Sequence, residues 1–392
     1  MKQVKTIMSI GLLSLSMATS FGCEPKTKKV MEQPLVTQAI TADEKPSKNF
    51  VKIALLLDTS NSMDGLINQA KAQLWDIVNK FSYAKCGNDG RPQLQIALYQ
   101  YGNDDLSSKE GYIQQVIGFS SDLDEISEKL FSLTTNGGEE YCGEVIQTSL
   151  KQLEWGKNPD HLKMIFIAGN EPFSQGKLNY KDATSNAKEK DIIVNTIFCG
   201  NYEQGISTDW KKGAQLTGGE YIAIDHNRQV VHISTPYDDL IIRLNSKLNK
   251  TYISYGAMGA SKMEMQSAQD ANAAELEEAV IVKRAVSKSS RLYNNAAWDL
   301  VDASEDKDFD ASKLKKDQLP KELQGKSKTE IEKYILEKKA ERKSVQKEIQ
   351  DLNKKRDAYI LKHQEEGAAG ELENAMLSAI KKQAAKKNYT WE

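Results

Sequence analysis

Between residues 50 and 224 the chain alternates short apolar runs with amphipathic stretches. Val51–Leu57 is almost continuously apolar, the pattern of a strand buried on both faces of a parallel sheet. Leu66, Ile67, Ala70, Leu74, Ile77, Val78 and Phe81 recur at helical spacing and predict a helix over 66–81. Further strands are predicted at Leu94–Tyr101, Tyr112–Phe119, Leu162–Ala168, Ile192–Phe198 and Tyr221–Ile224. Helices are predicted at Leu123–Leu133, Val145–Leu153, Tyr180–Lys190, Trp210–Leu216 and Asp238–Leu248. Polar clusters, Asn103-Asp104-Asp105 and Lys109-Glu110-Gly111, separate the second and third strands and mark a hairpin. Strands alternating with helices need crossovers. The expectation is therefore an α/β domain over 49–250: a mostly parallel six-stranded sheet, helices on both faces, and one antiparallel edge strand. In such sheets ligands bind beyond the carboxyl ends of the strands.

The last third differs. No strand is predicted after Tyr255, and residues 257–392 read as an α-helical region. Met258–Asp302 is helical, Ser304–Lys328 is polar and broken, and a long helix runs from Thr329 to His363. That helix carries Ile331, Ile335, Lys338, Arg342, Val345, Ile349, Leu352, Arg356 and Tyr359 in four-three spacing, a weak heptad. Its long cations weaken a zipper. Two readings stand: an intermolecular coiled coil, or a charged helix folded back on its own chain.

The first 22 residues read as an export signal, with Lys2 and Lys5 ahead of a mostly apolar run from Ile7 to Phe21. That run is too short to span a bilayer as a stable helix. It ends in Gly22-Cys23, which resembles a bacterial lipoprotein processing site with Cys23 as the lipidated residue. The alternative is ordinary secretion with cleavage near Ala18-Thr19-Ser20. Residues 23–48, rich in Lys, Pro, Thr and Glu, read as a flexible tether.

Across 392 residues, 53 Lys and Arg stand against 55 Asp and Glu, for a net charge of -2. This gives no reason to expect nucleic acid or anionic lipid as a partner. Four His and four Cys, without His-Glu-x-x-His or Cys-x-x-Cys, leave little room for a zinc or iron–sulfur centre. No nucleophile elbow, P-loop or dinucleotide fingerprint occurs, so an enzyme is not expected.

Directly after the first strand comes Asp58-Thr59-Ser60-Asn61-Ser62-Met63. As a lone turn it could merely cap the next helix. Its position at the ligand-binding edge of the sheet gives it more weight. Val51–Met63, VKIALLLDTSNSM, resembles the opening of a von Willebrand factor A domain, and the order of elements over 50–250 is similar to that family. The resemblance implies a metal-ion-dependent adhesion site. Asp58, Ser60 and Ser62 would contact a divalent cation, and Thr134 or Thr135 of a second loop would add a hydroxyl. An acid in a third loop would complete the set, but Asn170 stands there. Glu139, Glu140 or Glu171 could supply the missing charge. The cation is expected to be Mg2+, with Mn2+ or Ca2+ as substitutes, and a ligand carboxylate would take its free position.

Strand direction gives an independent count. If the first strand points up, the loops after it, the Asn103–Asp105 turn, the Thr134–Cys142 loop and Asn170 all emerge on the upper edge. Asp104 and Asp105 read as a solvated hairpin tip. Cys142 and Cys199 fall on the same edge and Cys86 on the opposite one. In an oxidising compartment Cys142–Cys199 is the geometrically plausible disulfide, the alternative being three buried free thiols.

The sequence thus predicts a lipid-anchored, metal-dependent, non-enzymatic protein-binding module of the bacterial cell envelope, on the periplasmic face in preference to the cell surface, whose partner presents a carboxylate. Its C-terminal helices offer a route to self-association. The alternative is a scaffold that works without metal, through its domain surface and those helices.

Overall fold

Strand β1 (Phe50–Asp58) lies at the centre of a six-stranded sheet of order β4-β3-β1-β5-β6-β7. The computed structural model describes residues 49–392 apart from 88–89, 226–231, 364–370 and 392. The expected signal, tether and Cys23 lie outside the described residues.

From Val51 to Asp58 every residue of β1 is buried, as its unbroken apolar run requires. β3 (Gln93–Tyr101), β5 (Leu162–Gly169), β6 (Ile193–Cys199) and β7 (Tyr221–Ile224) run parallel with it, and β4 (Ile113–Ser120) is the antiparallel edge. The strand tops form one edge, the crest, and the strand starts form the base. Alternation divides the core. Leu55, Leu57, Phe166 and Ala168 face α1 (Asp64–Ser82) and α2 (Leu123–Phe131). Ala54, Leu56, Ile165 and Ile167 face α3 (Cys142–Gln152) and α4 (Tyr180–Glu189). Two short helices, α5 (Tyr202–Ser207) and α6 (Trp210–Gln215), precede β7, and α7 (Asp238–Asn249) returns along the α1 face. The predicted fold class, strand directions and hairpin are those of the structure.

Residues 48–392 form one compact unit, so the helical third is built into the same body. α8 (Gly259–Leu276) and α9 (Glu278–Lys288) join the core on the α1 side. α9 is buried from Ala279 to Lys288 although it carries Lys283, Arg284 and Lys288. Each cation meets acids from elsewhere in the chain: Lys283–Asp76 at 2.7 Å, Arg284–Asp124 at 2.8 Å, Arg284–Asp270 at 2.6 Å and Lys288–Asp270 at 2.9 Å. Buried charges persist when paired in this way. The Arg284 guanidinium also lies 4.8 Å from the Trp75 ring centroid.

After α10 (Leu300–Ala303) and irregular turns, α11 (Lys328–His363) follows the second of the two readings, a helix folded back on its own chain. Its heptad face is covered by its own chain, with Ile331, Ile335, Arg342, Val345, Ile349, Asn353 and Arg356 buried. Arg342 reaches Asp299 and Asp302, each at 2.6 Å, and Arg356 reaches Asp238 at 2.8 Å. The cations that would weaken a zipper are the ones paired inside the molecule. The absence of any strand after Tyr255 is corrected. α12 (Glu371–Ala385) leads into β8 (Tyr389–Trp391), which pairs antiparallel with β2 (Ala84–Cys86) at the base. Three-residue strands are too short to show a period-two pattern. Among the described residues no helix is long and apolar enough to cross a membrane.

A candidate cation site at the crest of the sheet

The register sets Asp58 beside Tyr101 and Leu57 beside Ala168, so the loops leaving β1, β3 and β5 start as neighbours. Backbone bonds tie them. Thr59 N–H donates to the Tyr101 carbonyl at 2.9 Å, and Asn136 N–H donates to the Thr59 carbonyl at 3.0 Å. Asn103, 2% exposed, bolts the hairpin turn to the second loop by donating to the Thr134 carbonyl at 3.0 Å. The third loop joins through Asn170, whose side-chain amide donates to Ser62 Oγ at 3.2 Å. All segments that the direction count sent to the upper edge do meet there.

In the pit between these loops, Asp58 has no exposed surface, and one of its oxygens accepts the Ser60 N–H at 2.7 Å. The other, Oδ2, is buried with no hydrogen-bond donor, and so are Ser60 Oγ and Asn170 Oδ1. Orphaned buried oxygens are costly unless something electropositive meets them. Glu140, 4% exposed, closes the pit from the second loop, its carboxylate beside Asp58 and Ser60. Burial first, and the Glu140 charge second, hold the Asp58 carboxyl well above the usual carboxylate range. Burial raises Glu140 as well. The approach of the two acids depends on Gly102, which has φ +75°. A Cβ there would lie 2.7 Å from Glu140 Cγ and 3.0 Å from Asp58 Oδ1. Gly169 makes room in the same way, since its Cβ would lie 2.5 Å from Tyr101 Oη.

The other expected residues sort by place. Ser62 is exposed at the rim. Thr135 donates its hydroxyl to Asp64 Oδ1 at 2.5 Å, and Thr134 is exposed. The second-loop residue that reaches Asp58 is Glu140. Glu139 and Glu171 are exposed at the rim, where Glu139 accepts from Gln175 at 3.1 Å. Asp104 and Asp105 are exposed too, and Asp105 accepts from Asn136 at 3.0 Å. Sequence reasoning treated Asn103 only as a turn residue, and nothing but its place in the crest count signals its bolting role. Oxygen donors of this kind fit a hard cation such as Mg2+, which combines one or two carboxylates with neutral oxygens and water. Among the described residues no cluster of three or more His, Cys, Asp or Glu could hold a metal, so any ion here depends on hydroxyl and amide oxygens.

The expected Cys142–Cys199 disulfide is not formed. Cys86, Cys142 and Cys199 are buried free thiols. Cys142 belongs to the core on the α3 face, beside Tyr101, while Cys199 points into the core on the α1 face. The sheet lies between them. Cys86 sits at the base, where it accepts from Asn49 at 3.3 Å.

An α/β sheet whose crest loops enclose an oxygen-lined pit defines the class: a Rossmann-like binding domain. Residues 52–208 match the von Willebrand factor type A domain, a family whose domains are generally interaction modules rather than enzymes. Similar solved structures include BatB from Bacteroides thetaiotaomicron, 15% identical, covering 45% of this chain and 90% of that one at a TM-score of 0.34. The SpRpn10 VWA domain is 14% identical, covering 46% of this chain and 90% of that one at 0.35. Proximal thread matrix protein 1 from the mussel byssus is 15% identical over 45% of this chain at 0.33, and the chain spans only 41% of its length. No curated protein matches the chain.

Proposed function

We propose that this chain is an exported, lipid-anchored interaction module of the bacterial envelope, on the periplasmic face, that grips a protein partner through a divalent cation at its crest. Asp58, Ser60 and Asn170 would hold the cation, with Ser62 at the rim. Glu140 takes the part expected of Thr134 or Thr135. It also returns the negative charge that Asn170 withholds, so the pit keeps two carboxylates with the second moved from the third loop to the second. The cation, Mg2+ or in its place Mn2+ or Ca2+, would offer a free position to a partner's carboxylate. The observation that carries this reading is the set of three buried oxygens without donors, Asp58 Oδ2, Ser60 Oγ and Asn170 Oδ1. Export and anchoring rest on the apolar run that ends at Gly22-Cys23.

A second reading has one observation in its favour. The raised Asp58 and Glu140 carboxyls can share a proton, which would satisfy the pit without metal and leave a scaffold acting through its surfaces. Magnesium titration followed by thermal unfolding separates the two. A cation at about one hundred times its Kd adds roughly 2.7 kcal/mol to stability. The wild-type protein should therefore melt higher with Mg2+, and Asp58→Ala should abolish the gain. A wild-type melting curve that Mg2+ leaves in place favours the scaffold.

A further inference from the structure

The base of the molecule carries a charge feature that the crest reading leaves unused. Lys80, near the end of α1, and Lys381, in α12, approach each other, and neither forms an ion pair among the described residues. Burial, then the neighbouring Lys381, holds the Lys80 ammonium down to about 8. Lys80 Nζ lies 5.5 Å from the Trp391 ring centroid, and the Trp391 indole nitrogen has no hydrogen-bond acceptor. Between α12 and β8, Lys386 is exposed at the rim of a cavity of about 630 Å³ that is also lined by Asn49 and Cys86. Acids on the far wall do not balance the cations. Asp191 is held by Lys387 at 2.6 Å, which leaves Asp160. The crest is the opposite pole, with Asp64, Asp104, Asp105, Glu139 and Glu171 all exposed. Asn49, at the foot of β1, is the point at which the chain enters the body from its N-terminal segment.

We propose that the base, with Lys80 over Trp391, Lys381 beside Lys80 and Lys386 exposed at the same end of the molecule, docks on the anionic headgroups of the membrane to which the chain is tethered. This inference rests on the anchored reading above. Anionic phosphates would relieve the repulsion between Lys80 and Lys381, and an indole beside lysines suits the water–lipid boundary. The same polarity drives the acidic crest away from the bilayer, so docking would hold the ligand pole outward.

The test is sedimentation of the full chain with vesicles of phosphatidylcholine alone and of phosphatidylcholine mixed with phosphatidylglycerol. Binding to the mixed vesicles should exceed binding to the neutral ones. Each lysine at the surface is worth about fivefold, so Lys80→Glu with Lys381→Glu should remove more than about tenfold of that excess. Roughly 1 M salt should remove it as well. Unchanged melting and an unchanged Mg2+ response in the double variant show that its fold is intact. A Cys23→Ser chain separates the two readings. It should lose binding to neutral vesicles if the anchor is real and still keep the anionic excess. Equal binding to both vesicles overturns the proposal. So does an excess that survives the Lys80 and Lys381 changes but disappears when Lys26, Lys28 and Lys29 become Ser, because the contact would then belong to the tether.

Discussion

Asn170 donates its side-chain amide to Ser62 Oγ at 3.2 Å while its carbonyl oxygen stays buried without a donor. One side chain therefore ties the first and third crest loops together and faces the pit with a neutral oxygen. Asn170→Asp would give the pit a third carboxylate. We expect Mg2+ to bind at least about tenfold tighter, read by isothermal titration, since added ligand charge raises affinity for a hard cation. An unchanged or weaker Kd would remove Asn170 from the site.

Gly102 controls how closely Asp58 and Glu140 approach. Gly102→Ala meets both a left-handed backbone, φ +75°, and a Cβ position 2.7 Å from Glu140 Cγ. The expected cost is about 1–3 kcal/mol in denaturant unfolding, together with loss of the Mg2+-induced rise in melting temperature. A variant that keeps that rise would mean the two acids need not lie together for the cation to bind.

Arg284 is fully buried between Asp124 and Asp270. Removing it leaves those acids without their guanidinium partner, and a broken buried pair typically costs about 3–5 kcal/mol. Arg284→Ala should therefore lower stability by that amount and loosen α8 and α9, seen as faster amide exchange there. A change of under about 1 kcal/mol would show that the helical third is not held to the sheet domain by this cluster.

Asp302 gives a pH dependence with a definite sign. Burial raises its carboxyl to about 6, with Arg342 opposing and Asp299 adding to the rise. The folded state thus holds a proton that the unfolded chain, with an Asp near 3.9, releases earlier. The stabilisation is fully present below about pH 4 and is lost as pH rises through about 6, amounting to roughly 2–3 kcal/mol. Asp302→Asn should remove this part of the pH dependence, so wild type and variant unfolding curves diverge between pH 4 and pH 8. Parallel curves would count against a protonated Asp302.

The three thiols are buried and unbridged. Labelling with a maleimide should be slow in the native protein and complete for Cys86, Cys142 and Cys199 in denaturant without reductant. A Cys142–Cys199 peptide recovered after oxidising export would show that the sheet does not keep these side chains apart.

The sheet was legible because its signals are local. Val51–Leu57 announces a central strand by its apolar run alone, and direction follows from counting crossovers. Asp58, Ser60 and Asn170 could be placed at the crest for the same reason. Glu140 could not be singled out, since an acid just ahead of a helix looks like ordinary first-turn charge. The fate of Arg284, Arg342 and Arg356 was hidden more deeply. A long cation on a helix reads as solvated unless its acid is known, and Asp124, Asp299 and Asp238 lie far away in sequence. The choice between a Cys142–Cys199 bridge and free thiols stayed open because the count fixes height along the strands but not the face to which a side chain turns.

The position of Asn49 at the foot of β1, opposite the crest, has a mechanical meaning. If the chain is anchored through its N-terminus and its crest holds a partner, as proposed above, tension runs lengthwise through β1, which is bonded on both sides to β3 and β5. Hydrogen bonds across such a strand are strained together rather than unzipped in turn. A pull that would peel an edge strand open must here shear a strand buried from Val51 to Asp58.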